Sequence, residues 1–139
     1  MGTVPTPMVE VQIMSRSRIL VADNHQNVRE VMSNLLDMLD IEAVPCSSGE
    51  EVLLLVDTDD YDAVISDVVM PEMGGLDLVV RLREKNPGLP VIMMSSYASE
   101  TLEEEARNKG AVGLMAKPFK LDAVTRLLEA AGVDFARPA

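Results

Sequence analysis

Four apolar runs in this chain each close on a polar residue of a type that can handle a charged oxyanion. "RILVA" (18–22) leads to Asp23 and Asn24, "DAVIS" (62–66) to Asp67, "PVIMM" (90–94) to Ser95 and Ser96, and "VGLMA" (112–116) to Lys117. Any one of these is ordinary, because an Asp at a strand end usually serves as a turn or cap residue. Together they suggest more. Two carboxylates and an amide oxygen are hard ligands suited to Mg²⁺. A hydroxyl and an ammonium can bind phosphoryl oxygens. Lys117 is the hardest to explain as punctuation: it lies between "GLMA" and Pro118, where an ammonium at the top of a sheet wants an anionic partner. The chemistry these types suit is phosphoryl transfer.

For those residues to meet, the runs that carry them must be neighbouring strands. The four runs are continuous rather than alternating, as in strands covered on both faces of a parallel sheet. A fifth run, "IEAVPC" (41–46), contains Pro45, which cannot donate to a ladder and so belongs at a sheet edge.

Helical patterns separate the runs. Val28, Val31, Met32, Leu35, Leu36 and Leu39 form one stripe, with Asn27 and Glu30 spaced as a capping box. "SSGEEVLLLV" carries a second box, Ser48 with Glu51. "GLDLVVRLREK" ends near "NPG". "SETLEEEARNKG" is polar, with only Leu102 and Ala106 facing inward. "KLDAVTRLLEAAG" sets Leu121, Val124, Leu127, Leu128 and Ala131 on one face.

Alternating strands and helices with short connections predict right-handed βαβ units. The fold class is therefore α/β: a flavodoxin-like (βα)₅ three-layer sandwich whose parallel five-stranded sheet has the order 2-1-3-4-5. In such a sheet, ligands bind at the carboxyl ends of the strands, where all the polar residues above are found.

The chain has 139 residues, enough for one domain with a core. A formal net charge of −11 argues against this chain gripping nucleic acid, since phosphate contacts need clustered Lys and Arg. The single Cys46 excludes an internal disulfide and fits a reducing compartment, which points to the cytoplasm; its simplest role is a small buried apolar side chain. No run is long enough to span a membrane, and the opening residues lack a signal-type apolar core. We expect 1–17 to be a largely disordered or appended tail, 18–131 the domain, and 132–139 a C-terminal tail or the start of a linker.

The stretches "ILVADNHQNVRE", "AVISDVVMPEMGG", "PVIMMSS" and "GLMAKPF" together resemble the receiver domain of two-component response regulators, from about Arg18 to Ala131. The resemblance implies a bacterial phosphorelay switch. Asp67 would be the phosphoacceptor. Asp23, Asn24, Asp67 and the backbone carbonyl of Val69 would hold Mg²⁺. Ser95 would be the switch hydroxyl, and Lys117 would pair with the acceptor carboxylate and then with the phosphoryl oxygens. It further implies a cis Lys117–Pro118 bond. The implied partners are a histidine kinase or phosphotransfer protein, an unidentified downstream protein, and a second copy through the face of the fourth and fifth helices. The domain would catalyse at most its own phosphorylation and dephosphorylation.

Three positions depart from the family pattern. Asn24 replaces an acid and predicts weaker metal binding. Gly74 stands where Asp or Asn is usual, a change expected to alter only the turn because glycine tolerates left-handed geometry. Leu114 takes the place of the switch aromatic in the fifth strand. Val69 and Tyr97 stand where access of hydrolytic water is tuned, and predict a slow loss of the phosphoryl group. His25, the sole histidine, reads as a solvated loop residue, and the ten methionines as core filler.

Asn24 and Leu114 support an alternative, a pseudo-receiver that works as a phosphorylation-independent interaction module. A Mg²⁺-dependent phosphatase of the haloacid-dehalogenase type is disfavoured, since it needs a second Asp where Val69 stands. With only "GVDFARPA" after Ala131, a stand-alone receiver and a fragment of a longer regulator or hybrid kinase both stay open.

Overall fold

The structure, a computed structural model, describes residues 16–136. Five strands form one parallel sheet: β1 (Arg18–Ala22), β2 (Glu42–Cys46), β3 (Ala63–Asp67), β4 (Val91–Ser95) and β5 (Gly113–Ala116). Their order is β2-β1-β3-β4-β5. Pro45 lies in the edge strand β2, paired only with Val21 of β1. Five helices alternate with them: α1 (Gln26–Met38), α2 (Gly49–Thr58), α3 (Gly75–Lys85), α4 (Glu100–Lys109) and α5 (Leu121–Ala131). This is the flavodoxin-like three-layer arrangement that the alternating pattern predicts.

The continuous apolar runs are explained by two cores, one on each face of the sheet. Ile19, Val21, Ile65, Ile92 and Met94 face Met32, Leu36, Val124 and Leu128 from α1 and α5. Leu20, Val64, Val91 and Met93 face Val52, Leu78, Leu82 and Ala106 from α2, α3 and α4. Each fully buried side chain of this size contributes about 1.5–3 kcal/mol relative to exposure. Cys46 is buried in the second core, and burial pushes its thiol up to about 12, as fits a small apolar filler.

Several local expectations need correction. β3 and β4 each run one residue further than the apolar pattern suggests, so Asp67 and Ser95 are the last residues of strands. The Asn27–Glu30 box does not form. Asp23 Oδ1 accepts the backbone N–H of His25 at 2.8 Å, and this turn starts α1 at Gln26, which leaves Asn27 inside the first turn. Val31 is half exposed rather than part of the buried stripe. At α2, Ser48 does accept the N–H of Glu51, but Glu51 returns its bond to Ser47 N instead of Ser48 N. Gly74 has an ordinary φ of −68°; the left-handed residue of that turn is Glu72, at φ 68°.

The described chain begins and ends close together. Ser17 Oγ donates to the Asp134 carbonyl at 2.8 Å, and Ala136 N–H to that of Leu39 at 2.9 Å. Val133 and Phe135 pack against the α1–α5 core. These contacts lie at the amino ends of the strands, beyond the start of β1. Of the tail expected over 1–17, residues 1–15 lie outside the described residues.

Candidate functional site

Every chemically equipped strand end converges on one cleft of about 510 Å³, bordered by Asn24, His25, Asp67, Ser95, Tyr97 and Lys117. Asp23 follows β1 directly and is fully buried. Its Oδ1 accepts the His25 N–H and lies 3.1 Å from His25 Nδ1, while its Oδ2 accepts Lys117 Nζ at 2.6 Å. Arg29 Nη1 donates to the Asp23 carbonyl at 2.6 Å and pins the turn from the first helix.

Asp67 ends the central strand β3, its residue only 5% exposed. Its Oδ1 accepts the Val69 N–H at 3.2 Å and its Oδ2 accepts Lys117 Nζ at 3.0 Å. Gly75 opens α3 directly beneath. A Cβ there would collide with the Asp67 carbonyl oxygen and crowd Val68 Cα, so only glycine permits this approach of helix to strand. The Lys117–Pro118 bond is cis. The Lys117 side chain is 12% exposed.

One ammonium therefore serves two carboxylates, and the electrostatics divide accordingly. Burial works against ionised Asp23, yet the bonds from Lys117 and the His25 N–H outweigh it and hold the carboxyl below its usual range. Asp67 goes the other way. Its burial, aided by the nearby Asp23 charge, outweighs the longer bond to Lys117 and pushes the carboxyl up. Lys117 also loses by burial, but the bonds to both acids raise it and keep it charged. The cluster carries two acids against one base, a surplus that suits a cation. One ligand atom each from Asp23, His25 and Asp67 lies within 4.8 Å of the others. This donor chemistry fits a divalent ion.

Ser95 is buried, and its Oγ accepts the Tyr97 N–H at 2.9 Å. Asn24 and Val69 border the same cleft, and Val69 and Tyr97 are 61% and 79% exposed. Leu114 on β5 packs with the α2–α4 core. All the predicted site residues thus share one end of the sheet; among their side chains, Lys117 is bonded directly to Asp23 and Asp67, while backbone N–H groups tie Val69 to the Asp67 carboxylate and Lys117 to the Ser95 carbonyl. Sequence reasoning read His25 only as a solvated loop residue, without its contact to Asp23, and missed Arg29 altogether. His25 had a weak signal, a lone histidine beside an acid. Arg29 had none, because an arginine on a helix face looks solvated.

Comparison with known proteins agrees with this geometry. The response regulator receiver domain family matches residues 19–129. The chain is 30% identical over 118 residues to the DNA-binding transcriptional regulator NtrC of Salmonella typhimurium, covering 85% of this chain and 25% of that protein. It is 32% identical over 115 residues to the chemotaxis protein CheY of Listeria monocytogenes, covering 82% of this chain and 97% of that one. The chain thus spans about a quarter of the length of its NtrC relatives. Among solved structures, the Francisella response regulator 1452 receiver domain superposes with a TM-score of 0.77 at 27% identity, covering 84% of this chain and 98% of that one. CheY4 of Vibrio cholerae superposes equally, with a TM-score of 0.77 at 26% identity, covering 84% and 99%. With the strand order, the acid pair and its shared lysine in place, these matches establish that the chain belongs to the response regulator receiver domain family.

Proposed function

We propose that this domain is the phosphoacceptor of a two-component phosphorelay, with Asp67 receiving a phosphoryl group from a phosphohistidine on a partner kinase or phosphotransfer protein. The observation that carries this reading is the Lys117 ammonium held between the buried carboxylates of Asp67 and Asp23. An Asp67 oxygen attacks phosphorus as the P–N bond breaks, the imidazole leaves with a proton, and an acyl phosphate remains. Such a transfer asks the protein for positioning and for positive charge on the phosphoryl oxygens. Lys117 supplies that charge and exchanges its Asp67 contact for a phosphoryl oxygen. Mg²⁺, held by Asp23, Asn24, Asp67 and the Val69 carbonyl, would add charge neutralisation.

The same reaction frees the signal. Ser95 Oγ now accepts the Tyr97 N–H, and donating to a phosphoryl oxygen draws it away from that amide. The loop it releases leads to Ser99, the N-cap of α4, so the α4–α5 face is the surface we assign to the downstream protein or to a second copy.

Asn24, which brings no charge to the metal position, and Leu114, which cannot rotate as an aromatic would, favour a second reading: a pseudo-receiver that is never phosphorylated. One experiment separates the two. The protein is incubated with acetyl phosphate and Mg²⁺ and its intact mass is measured, with Asp67→Asn as control. A single phosphoryl group on the wild type and none on the variant supports the phosphoacceptor; an unmodified wild type supports the pseudo-receiver.

A further inference from the structure

His25 is at the N-cap of α1, yet its side chain makes no capping bond. Its ring turns instead to the acid cluster, with Nδ1 3.1 Å from Asp23 Oδ1, while its own backbone N–H donates to that same oxygen. The backbone contact fixes where the residue stands and the ring contact fixes which way it faces. The ring is otherwise open to the cleft, with the side chain 63% exposed. A ligand atom of His25 shares a 4.8 Å neighbourhood with carboxylate oxygens of Asp23 and Asp67.

From this juxtaposition we propose that His25 is a nitrogen ligand, and that the cleft binds a borderline divalent transition ion, of the Co²⁺ or Zn²⁺ kind, in competition with Mg²⁺. Mg²⁺ selects oxygen ligands and holds its waters tightly, so an imidazole gives it little. Co²⁺ and Zn²⁺ bind imidazole well and gain affinity from each such donor. Asn24 tilts the balance the same way. It withholds the third carboxylate that would favour a hard ion, and Lys117 already neutralises part of the charge of the other two. An oxygen-only pocket grades these ions weakly, whereas one imidazole grades them steeply. The inference uses the metal pocket of the proposed function but does not require that Asp67 be phosphorylated.

The test uses the whole chain without an affinity tag, so that His25 is the only imidazole present. Co²⁺ and Mg²⁺ are titrated calorimetrically into the wild type and His25→Phe. Loss of one nitrogen ligand is expected to weaken Co²⁺ by about tenfold or more and Mg²⁺ by less than about twofold. In parallel, substoichiometric Co²⁺ should shift or broaden the single imidazole's proton resonances in the wild type, a readout that does not depend on the variant folding. Equal Co²⁺ affinity in the two proteins, equal losses for both ions, or an imidazole signal untouched by Co²⁺ would each overturn the proposal. Phosphorylation of the wild type in Mg²⁺ alone, measured separately, reports on the proposed function. Failure there beside His25-dependent Co²⁺ binding removes the phosphoacceptor and leaves the ligand assignment standing.

Discussion

Lys117 reaches back fifty residues to Asp67, with Nζ 3.0 Å from Oδ2, and its second acid, Asp23, is held more tightly at 2.6 Å. The ammonium is thus a shared counter-charge, closer to Asp23, the acid held ionised, than to Asp67, the acid pushed up by burial. That asymmetry leads to the first two predictions.

Removing the ammonium leaves two buried acids facing each other. Lys117→Ala should lose about 2 kcal/mol at neutral pH in urea denaturation, less than the roughly 3–5 kcal/mol of a sealed pair because the cleft is open to water. Millimolar Mg²⁺ should restore more stability to the variant than it adds to the wild type, since an ion can take the vacated role.

The two acids should respond oppositely to neutralisation. Asp67 is pushed up by burial, so folding favours its protonated form; that contribution is present below the unfolded carboxyl range and is lost as pH rises through the native value. Asp67→Asn should therefore stabilise the domain at neutral pH, with the gain fading as pH falls through the raised native value and gone by about pH 4, the unfolded carboxyl range. Asp23 experiences burial too, but its bonds to Lys117 and His25 win and lower it. Its stabilisation is present above the unfolded range and lost as pH falls, so Asp23→Asn should destabilise at neutral pH. Urea midpoints across pH check both signs.

Gly75→Ala tests the seat of Asp67. The added methyl meets the Asp67 carbonyl and Val68 backbone, which cannot swing aside as a flexible side chain could. A cost of about 3 kcal/mol, at the upper end for overpacking, is expected in thermal or urea unfolding.

Ser99→Ala tests the start of α4. Ser99 Oγ accepts the Leu102 N–H at 3.1 Å, and losing that cap should cost about 1 kcal/mol. Hydrogen exchange at Leu102 should accelerate while amides in the central strands stay protected.

The lips of the cleft set the last prediction. Val69 and Tyr97 stand exposed on either side of it, and their bulk should obstruct in-line attack of water on a phosphoryl group. Val69→Ala with Tyr97→Ala should shorten the lifetime of the phosphorylated form several-fold, read by the decay of the added mass. A wild-type half-life of seconds in Mg²⁺ would count against the obstruction.

Where residues act through burial, the sequence was a good guide. Runs such as "RILVA" and "PVIMM" mark strands because both faces of the sheet are covered, and Pro45 marks the edge because it lacks an N–H. Strand ends were less legible. Asp67 and Ser95 continue their ladders despite being polar, because the partner strands run on beside them. The capping prediction at Asn27 failed because a carboxylate from the preceding strand end, Asp23, had already organised the turn. Two short-range contacts were also missed, because residue type alone does not announce them: Arg29 bonded to the Asp23 carbonyl six residues back, and the Ser95 hydroxyl accepting the Tyr97 amide two residues on.

Ser17 bonded to Asp134, and Ala136 bonded to Leu39, moor both ends of the described chain side by side at the pole away from the cleft. A segment joined at either of these mooring points would start from the pole opposite the cleft. Such an attachment and the acid cluster would stand at opposite ends of the central strands.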